Sequence, residues 1–474
     1  MEWEAVIGLE VHVQVKTKTK IFCSCKNEFG SEPNSNVCPV CLGLPGVLPV
    51  FNEKVLEAAV LAGLGLNCSI ARYTKFDRKN YFYPDLPKAY QISQYDMPIC
   101  VNGHLDIVVN GEGKKIGITR IHMEEDAGKL IHGQGMSLVD YNRTGVPLLE
   151  IVSEPDMRSP DEAYEYLTVL KQIIQYLGVS DCDMEKGSLR CDANVSVRKK
   201  GDEKFGVKTE IKNLNSFKAV KSALEFEIKR QIKAIEDGQR IVQETRLWDS
   251  DKLVTVSMRS KEEAHDYRYF PEPDLLPIVI EDSYIDSIKE MLPELPKERM
   301  SRMQKDYNIT EYDASVLCQE KALADLYEEA AKGVEDKKKL ANMFISILLQ
   351  QLNDKQLSVG ELSVSPKDLG EICSMWAGGK INNIALQTAL KESIERGNSP
   401  ADVVKEKGLL QVQDSSQLEE FAKEAIEANP KVVEDYRAGK KNAVMFLVGQ
   451  VMKASRGKAN PQKVKEILES LLSS

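Results

Sequence analysis

Alternating apolar and polar residues predict β-strands at several places in the first part of the chain. Residues 9–15 alternate strictly, with apolar side chains at the odd positions. Residues 189–198 and 207–213 alternate in the same way and are joined by a polar connection. This pair therefore predicts an antiparallel hairpin that buries one of its two faces.

Helical signals occur between and after these strands. Ser159 followed by Pro160 is typical of a helix start, and Gly178 predicts the end of that helix. A second helix is predicted from about Ser216 to Asp237. The first half of the chain therefore mixes strands and helices.

The composition of the chain changes after Pro293. From there to the end, long segments are rich in Ala, Leu, Glu and Lys, and their apolar residues have helical spacing. A second loop-rich stretch at residues 397–400 divides this helical part. We therefore predict a large head and two small helical domains, with the bounds 1–292, 293–400 and 405–474.

The composition is that of a globular protein with a large core. Of 474 residues, 42% are hydrophobic and 29% charged, and 73 acidic against 63 basic residues give a net charge of −10. A DNA-coating protein is disfavoured, because such proteins need basic surfaces that displace counterions. No apolar run approaches the ~20 residues that cross a bilayer, no leader segment is visible, and the ten cysteines suit a reducing compartment. We expect a cytoplasmic protein that binds neither membrane nor DNA.

The polar positions of the predicted strands carry candidate metal ligands. Glu10 and His12 lie two residues apart, on one side of a strand, where they can share Mg²⁺ or Mn²⁺. Glu150 interrupts an apolar run, and an acid inside an apolar strand usually needs a cation beside it. A solvated sheet face is the alternative for any single strand. The hairpin adds a polar face composed of Arg190, Asp192, Asn194, Lys208 and Glu210.

Four cysteines have the spacing of a zinc site. Cys23 and Cys25 are followed by Cys38 and Cys41, and Gly43 completes the C-x-x-C-x-G turn of a zinc knuckle. Four thiolates leave no open coordination position, so the site is predicted to be structural. Four unrelated buried thiols and a redox C-x-x-C pair are the alternatives.

Two polar and aromatic stretches, residues 77–88 and 258–270, follow neither a helical nor a strand period and are predicted to be loops. Arg, Lys and aromatic side chains in such loops can hold phosphates and nucleobases, although ordinary surface loops have similar compositions. The sequence has no P-loop, Rossmann fingerprint or nucleophile elbow. Any nucleotide chemistry would therefore use a sheet that carries carboxylates and a metal.

Several long motifs are distributed along the whole chain. They are residues 8–12, 41–46, 77–88, 122–129, 140–150, 189–198, 258–270 and 447–453. In these motifs the chain closely resembles the B subunits of the aspartyl/glutamyl-tRNA amidotransferases. Ala89 departs from the pattern, because the family has glycine after this Pro-Lys pair, whereas all four zinc cysteines, which some relatives lack, are kept.

This resemblance implies a component of an enzyme that acts on misacylated Glu-tRNA(Gln) or Asp-tRNA(Asn). ATP phosphorylates the side-chain carboxylate, and ammonia then displaces phosphate to give Gln-tRNA or Asn-tRNA. The implied partners in a heterotrimer are the amidase, or A-type, polypeptide, which sends ammonia through a tunnel, and the small C-type polypeptide. The implied fold class is α+β: an antiparallel-sheet catalytic head like the glutamine synthetase and guanidino kinase fold, followed by two all-helical domains.

The resemblance also implies the cofactors ATP, Mg²⁺ and structural Zn²⁺, and it gives roles to matching residues. The catalytic residues are expected to be Glu10, His12, Lys79, Glu125, Glu150, Asp192 and Glu210. The Mg²⁺ ligands among them are expected to be Glu10, His12 and Glu125. The ATP contacts are expected to be Arg190, Asn194 and Lys208. The zinc ligands are expected to be Cys23, Cys25, Cys38 and Cys41.

The last segment of the chain has a local basic excess. From Lys431 onwards nine basic residues face four acidic ones, an excess of five positive charges on an acidic chain. The apolar stretch 443–452 can dock while its basic ends meet phosphate, so the segment 405–474 is predicted to bind tRNA. A solvated helix surface is the alternative. The predicted tRNA contacts are Lys440, Lys441, Lys453, Arg456 and Lys458.

Two other functional classes stay open: a stand-alone ATP-dependent amide ligase with its own ammonia source, and a non-catalytic zinc-bearing RNA scaffold. The first is disfavoured because no Cys-His or Ser-Lys glutaminase constellation is visible in the sequence. The second gives no role to the acidic strand faces. Spacing does not decide which carboxylates bind the cation, and the choice between Gln-tRNA and Asn-tRNA depends on other enzymes of the cell.

Overall fold

The computed structural model describes residues 2–133, 135–258, 266–411, 415–455 and 459–473. The chain forms two compact units, Met1–Leu295 and Pro296–Ser474. The first unit contains the sheets and the second is helical, so the predicted mixed α+β class is confirmed. Within the described ranges, no helix has both the length and the apolar character needed to cross a membrane.

In the part of the first unit that the structure describes, the strands build one large sheet and three small ones. They are β1 (Trp3–Gln14), β2 (Ser69–Ile70), β3 (Tyr73–Thr74), β4 (Asp77–Asn80), β5 (Tyr90–Ser93), β6 (Cys100–Val109), β7 (Glu112–Glu125), β8 (Lys129–His132), β9 (Ser137–Asp140), β10 (Pro147–Ser153), β11 (Leu189–Lys199), β12 (Thr209–Leu214), β13 (Thr245–Asp249), β14 (Val254–Ser257), β15 (Phe270–Pro271) and β16 (Ile278–Val279). Among the described residues, the large sheet has the order β14-β13-β12-β11-β1-β10-β7-β6-β2. Its neighbours are antiparallel except β12 and β13, which are parallel.

Helices cover one face of the large sheet. They are α1 (Glu53–Gly65), α2 (Pro160–Tyr176) and α3 (Phe217–Glu236), and α4 (Asp282–Glu290) packs against α1. The Ser159 hydroxyl accepts a hydrogen bond from the Glu162 amide at 3.2 Å, and Ser216 accepts one from the Ala219 amide at 3.0 Å. These caps satisfy amides that have no partner inside the helix. Both predicted helix starts are therefore confirmed, as is the β11–β12 hairpin.

Strand β1 shows why the sheet has one apolar and one charged face. Leu9, Val11 and Val13 are at most 1% exposed and belong to the core beneath the helices. Burying such side chains contributes about 1.5–3 kcal/mol each. Successive strand side chains point to opposite faces, so Glu10 and His12 lie on the face away from this core.

The stretch 77–88, which was predicted to be a loop, begins with the short strand β4. This strand lies between β5 and β15. Two nitrogens of the Arg78 guanidinium each donate a hydrogen bond of 2.8 Å to an oxygen of the Glu272 carboxylate. Because paired charges take the place of apolar side chains here, this strand lacks the hydrophobic alternation that predicts strands. Of the second predicted loop, residues 259–265 lie outside the described residues and Phe270 belongs to β15.

The second unit is built from helices. They are α5 (Pro296–Tyr307), α6 (Glu311–Leu317), α7 (Lys321–Ala331), α8 (Lys337–Met343), α9 (Leu349–Lys355), α10 (Pro366–Ala377), α11 (Asn383–Arg396), α12 (Pro400–Glu406), α13 (Ser415–Ala428), α14 (Pro430–Arg437), α15 (Val444–Ala454) and α16 (Pro461–Ser473). The buried apolar residues that are described in this unit form two clusters, one between 303 and 404 and the other between 418 and 472. The division into three domains and the likeness to glutamine synthetase stay predictions.

Candidate active site

Strand pairing lines up ionisable side chains across the charged face of the large sheet. Glu150 of β10 lies between His122 of β7 and His12 of β1. Arg190 of β11 follows on the other side of His12. Directly paired side chains in antiparallel strands have their Cβ atoms about 4.5–5.5 Å apart, so the register alone brings these groups within reach of one another.

Five ionisable side chains of this sheet face form a compact group, which we call the carboxylate–histidine cluster: Glu10, His12, His122, Glu124 and Glu150. The Nε2 atom of His12 lies 3.2 Å from a Glu150 oxygen, 3.4 Å from Glu124 and 4.0 Å from Glu10. The Nε2 atom of His122 lies 3.4 Å from Glu150 and 3.5 Å from Glu124. Glu150 and Glu124 therefore each contact both imidazoles.

The cluster perturbs the acidity of its members. Burial alone would lower the pKa of His12, but hydrogen bonds and charges from Glu124 and Glu150 outweigh it and raise that pKa to about 10. The same carboxylates raise the pKa of His122 to about 9 against its burial. Burial and the charge of Glu150 raise the pKa of Glu10. Three carboxylates thus compete for positive charge, which a metal ion can supply in place of the two protons.

The donor atoms fit a hard divalent cation. Among the described residues, Glu10, His12 and Glu150 form one group of donors that lie within 4.8 Å of one another, and His122, Glu124 and Glu150 form another. The two groups share Glu150. Carboxylate oxygens are ligands that Mg²⁺ and Mn²⁺ prefer. The buried Nδ1 atom of His122 has no hydrogen-bond partner in the described part of the chain, so its ring is oriented by the Nε2 contacts.

Glu125 lies elsewhere than the Mg²⁺ prediction placed it. Its carboxylate pairs with the Lys88 ammonium and accepts a hydrogen bond from the Ile92 amide at 2.9 Å. Neither donor group in the described residues contains it. Glu124, the preceding residue, contacts His12 instead. The structure therefore brings two of the three predicted Mg²⁺ ligands together and adds Glu124.

A second charged group continues along β11 and β12. Asp192 is paired with Glu10 across the strands, and the Lys212 ammonium lies 2.7 Å from Asp192 and 3.2 Å from Glu210. Burial would lower the pKa of Lys212, but the charges of Asp192 and Glu210 raise it. Lys212 was missed by the sequence prediction, although its place two residues after Glu210 on the same strand face was a usable signal.

Lys79 approaches the cluster from β4. Its ammonium lies 4.9 Å from the centre of the Tyr267 ring and 5.9 Å from that of Tyr81. Burial would lower the pKa of Lys79, but the charges of Glu124, Tyr269 and Glu150 raise it. Lys79 therefore remains a cation that faces the same carboxylates.

The three residues predicted to contact ATP occupy two places. A cleft of about 420 Å³ beside Glu10 is lined by Asn194 and Lys208, together with Ser153, Ser196 and Phe205. Arg190 instead donates a hydrogen bond to Asp126 at 2.9 Å. The cleft can therefore receive a ligand next to the cluster, whereas Arg190 fixes the edge of the site.

The four cysteines meet in one place. The sulfur of Cys41 lies 3.4 Å from that of Cys23, 3.6 Å from that of Cys38 and 3.7 Å from that of Cys25. Tetrahedral zinc with Zn–S bonds of about 2.3 Å requires sulfurs ~3.8 Å apart. A hydrogen bond from Cys23 and the charge of Lys20 lower the pKa of Cys41 to about 4, which favours the thiolate that metals bind. The four thiols thus fit zinc.

The predicted tRNA contacts lie around α15. The Lys440 ammonium is 2.9 Å from an Asp435 carboxylate oxygen, Lys441 begins a short 3-10 turn, and Lys453 lies in the last turn of α15. Arg456 and Lys458 lie outside the described residues. These three described lysines are exposed.

Two family models and two named relatives show which proteins this chain is similar to. A family model described as the GatB/GatE catalytic domain matches residues 5–286, and a model described as the GatB domain matches residues 325–472. A relative from Carboxydothermus hydrogenoformans is 58% identical over 99% of both chains. A relative from Caldicellulosiruptor bescii is 55% identical over 100% of this chain and 99% of its own. Both relatives are named as the B subunit of aspartyl/glutamyl-tRNA(Asn/Gln) amidotransferase.

Proposed function

The chain belongs to the GatB/GatE family, and from this premise we propose that it is the component of a tRNA-dependent amidotransferase that activates the aminoacyl group with ATP. Its proposed substrates are Glu-tRNA(Gln), Asp-tRNA(Asn) or both. The proposed partners are the amidase, which supplies ammonia through a tunnel, and the small C-type polypeptide. The proposed location is the cytoplasm.

The proposed reaction has two steps. The side-chain carboxylate of the aminoacyl group attacks the γ-phosphorus of ATP, and ADP leaves. Ammonia then attacks the acyl phosphate, releases inorganic phosphate and forms the amide. Phosphoryl transfer depends mainly on positioning and on neutralising the phosphate charge, for which the sheet carries suitable groups.

Residues of this chain have distinct proposed roles. Glu10, His12, Glu124 and Glu150 would hold the divalent cation, which neutralises phosphate oxygens when it is bound. Lys79 would place a positive charge on the reacting group. Asn194 and Lys208 would contact the nucleotide in the cleft. Lys212 keeps Asp192 and Glu210 oriented beside Glu10.

One observation carries this proposal: the carboxylate–histidine cluster, in which one buried and one partly buried imidazole contact the same two buried carboxylates. Histidines on an ordinary solvated sheet face do not share buried acids in this way, and burying several carboxylates together is unfavourable without a cation. The RNA-scaffold alternative gives the cluster no role. The stand-alone ligase alternative accommodates it but does not need an amidase partner.

The test uses the complex of this chain reconstituted with the amidase and the small C-type polypeptide. ADP formation is measured with ATP, Mg²⁺ and misacylated tRNA, first with Glu-tRNA(Gln) and then with Asp-tRNA(Asn), and amide formation is measured after glutamine is added. We expect ADP release to depend on the misacylated tRNA. His12→Ala should abolish it while the partner keeps its glutaminase activity. His104→Ala, which changes a histidine on β6 outside the cluster, is the matched control.

Three outcomes would count against this proposal. Normal ADP formation by the His12→Ala complex would exclude the cluster as the phosphorylation site. Absence of tRNA-dependent ADP formation in the unsubstituted complex would favour the scaffold. Full amide formation from free ammonia and from glutamine without the amidase would favour the stand-alone ligase. The assay with the two tRNAs also shows which of the two misacylated tRNAs the complex can amidate.

A further inference from the structure

A buried lysine links the loop that carries Cys23, Cys25, Cys38 and Cys41, which we call the zinc loop, to the edge of the candidate active site. Lys20 is 0% exposed. Its ammonium donates to the Asn36 carbonyl at 2.8 Å, to the Tyr141 carbonyl at 3.4 Å and to the Cys41 sulfur at 3.5 Å. An ammonium has three hydrogens to donate, and these three acceptors can use all of them. One of them, Cys41, is an anion whenever zinc is bound.

Lys20 therefore contacts both the zinc site and the segment at Tyr141. Four thiolates around Zn²⁺ carry a net charge of −2, and a buried ammonium beside one sulfur offsets half of it. Partners of this kind orient metal ligands and tune their basicity. The same ammonium holds the carbonyl of Tyr141, so it ties the zinc site to the segment that leads into β10.

A second contact is made by the glycine of the zinc knuckle. Gly43 has a φ of +63°, and a Cβ atom added to it would overlap Cγ of Lys88 and lie 3.1 Å from its Cα. The stem of Lys88 therefore rests directly on the knuckle backbone. The ammonium of Lys88 is paired with Glu125. The knuckle thus forms the support under this ion pair.

A third connection runs through side-chain amides. The Asn36 backbone amide donates to the Asn142 side-chain oxygen at 2.8 Å. The neighbouring Arg143 donates to the Ala127 carbonyl at 2.9 Å, and its Nε atom lies 3.6 Å from Asp126. Asp126 in turn accepts a hydrogen bond from Arg190. Ordered contacts therefore lead from the zinc loop to the strand that carries Arg190.

From these contacts we propose that the zinc knuckle positions the active-site edge, with Lys20 and Gly43 as positioning residues. Lys20 holds the knuckle against the segment at Tyr141, and Gly43 provides the surface on which Lys88 reaches Glu125. The inference rests on the proposed function only in its activity readout. Zinc retention tests it independently.

The first experiment compares two glycine substitutions in the reconstituted complex. Gly43→Ala forces a side chain into Lys88, whereas Gly46→Ala, at a φ of +86° with no atom within 4 Å of an added Cβ, imposes similar backbone strain without a contact. We expect both to retain zinc. Amide formation should fall about 10-fold in Gly43→Ala and stay near the unsubstituted rate in Gly46→Ala, by the usual size of outer contacts around a site.

Equal rates for the two glycine variants would overturn the role of Gly43. If the unsubstituted complex forms no amide, the proposed function fails instead. The second experiment therefore uses zinc alone: transfer of zinc from purified protein to a coloured chelator is timed. Lys20→Met should release zinc about 10- to 100-fold faster, while Lys18→Met, an exposed lysine on the same loop, should not.

Release of zinc from Lys20→Met at the unsubstituted rate would overturn the role of Lys20 at the metal. Faster release combined with unchanged amide formation in zinc-supplemented complex would overturn the link to the active site. Should Lys20→Met fail to fold, the Gly43→Ala and Gly46→Ala pair decides the proposal, since both keep Lys20 and all four cysteines.

Discussion

Replacing Glu150 by glutamine tests the centre of the carboxylate–histidine cluster. Glu150 belongs to both donor groups, and its carboxylate oxygen lies 3.2 Å from His12 and 3.4 Å from His122. Glutamine keeps the shape of the side chain and removes its charge. We expect the variant to fold normally and to bind a divalent cation much more weakly.

The size of the effect follows from the burial of the carboxylate, whose side chain is only 8% exposed. Two unit charges about 4 Å apart interact by about 4 kcal/mol at an effective dielectric constant near 20. A divalent ion doubles this attraction. His12 and His122, whose pKa values the carboxylate raises, would then lose protons more easily and become better ligands, which offsets part of the loss. A net cost of about 4 kcal/mol corresponds to about 1000-fold weaker binding.

Manganese provides the assay, because free Mn²⁺ is counted directly by electron paramagnetic resonance during a titration of the complex. Glu154→Gln is the matched control: this residue follows β10 and accepts a hydrogen bond from Thr119 at 2.7 Å. Tight Mn²⁺ binding should survive in Glu154→Gln and be lost in Glu150→Gln. Affinity within about ten-fold of the unsubstituted complex in Glu150→Gln would refute the reasoning, since that factor corresponds to only about 1.4 kcal/mol.

Three further predictions concern the zinc site, the tail and one turn. Elemental analysis of protein purified without added metal should give about one zinc per chain, and a Cys38→Ser protein that keeps its full zinc would contradict the four-thiolate site. Removal of residues 405–474 should raise the KM for aminoacyl-tRNA and weaken its salt dependence while glutamine hydrolysis by the partner is unchanged; an unaltered KM at physiological salt would refute tRNA binding by the tail. Ala89 has a φ of +62°, so Ala89→Gly should relieve strain and raise the free energy of unfolding by up to about 1 kcal/mol in thermal melts, and a lower melting temperature would show that the turn is not strained.

The sequence predicts those parts of the fold whose signals are local. The start of α2 follows from Ser159, and the hairpin of β11 and β12 follows from strict alternation, because one face of each strand meets the core. Strand β4 gives no such signal. Its inner positions are filled by ion pairs, and Glu272, the partner of Arg78, is 194 residues away. The residue pattern of one short segment cannot reveal a contact with a residue so far away in the sequence.

The same limit explains why Glu124 faces His12, whereas Glu125 was the residue predicted to do so. Glu124 and Glu125 are adjacent on β7, so they point to opposite sides, and only one of them can meet His12. The choice is made by the pairing of Glu150 with His122, which puts even-numbered β7 residues on the face of the cluster. A shift of one residue in that register would exchange the two acids and leave every local pattern intact. Glu125 points to the opposite side, where it pairs with Lys88, whose side-chain stem packs against Gly43. The two neighbouring acids therefore contact different groups: Glu124 belongs to the carboxylate–histidine cluster, and Glu125 pairs with Lys88, which packs against the turn of the cysteine cluster.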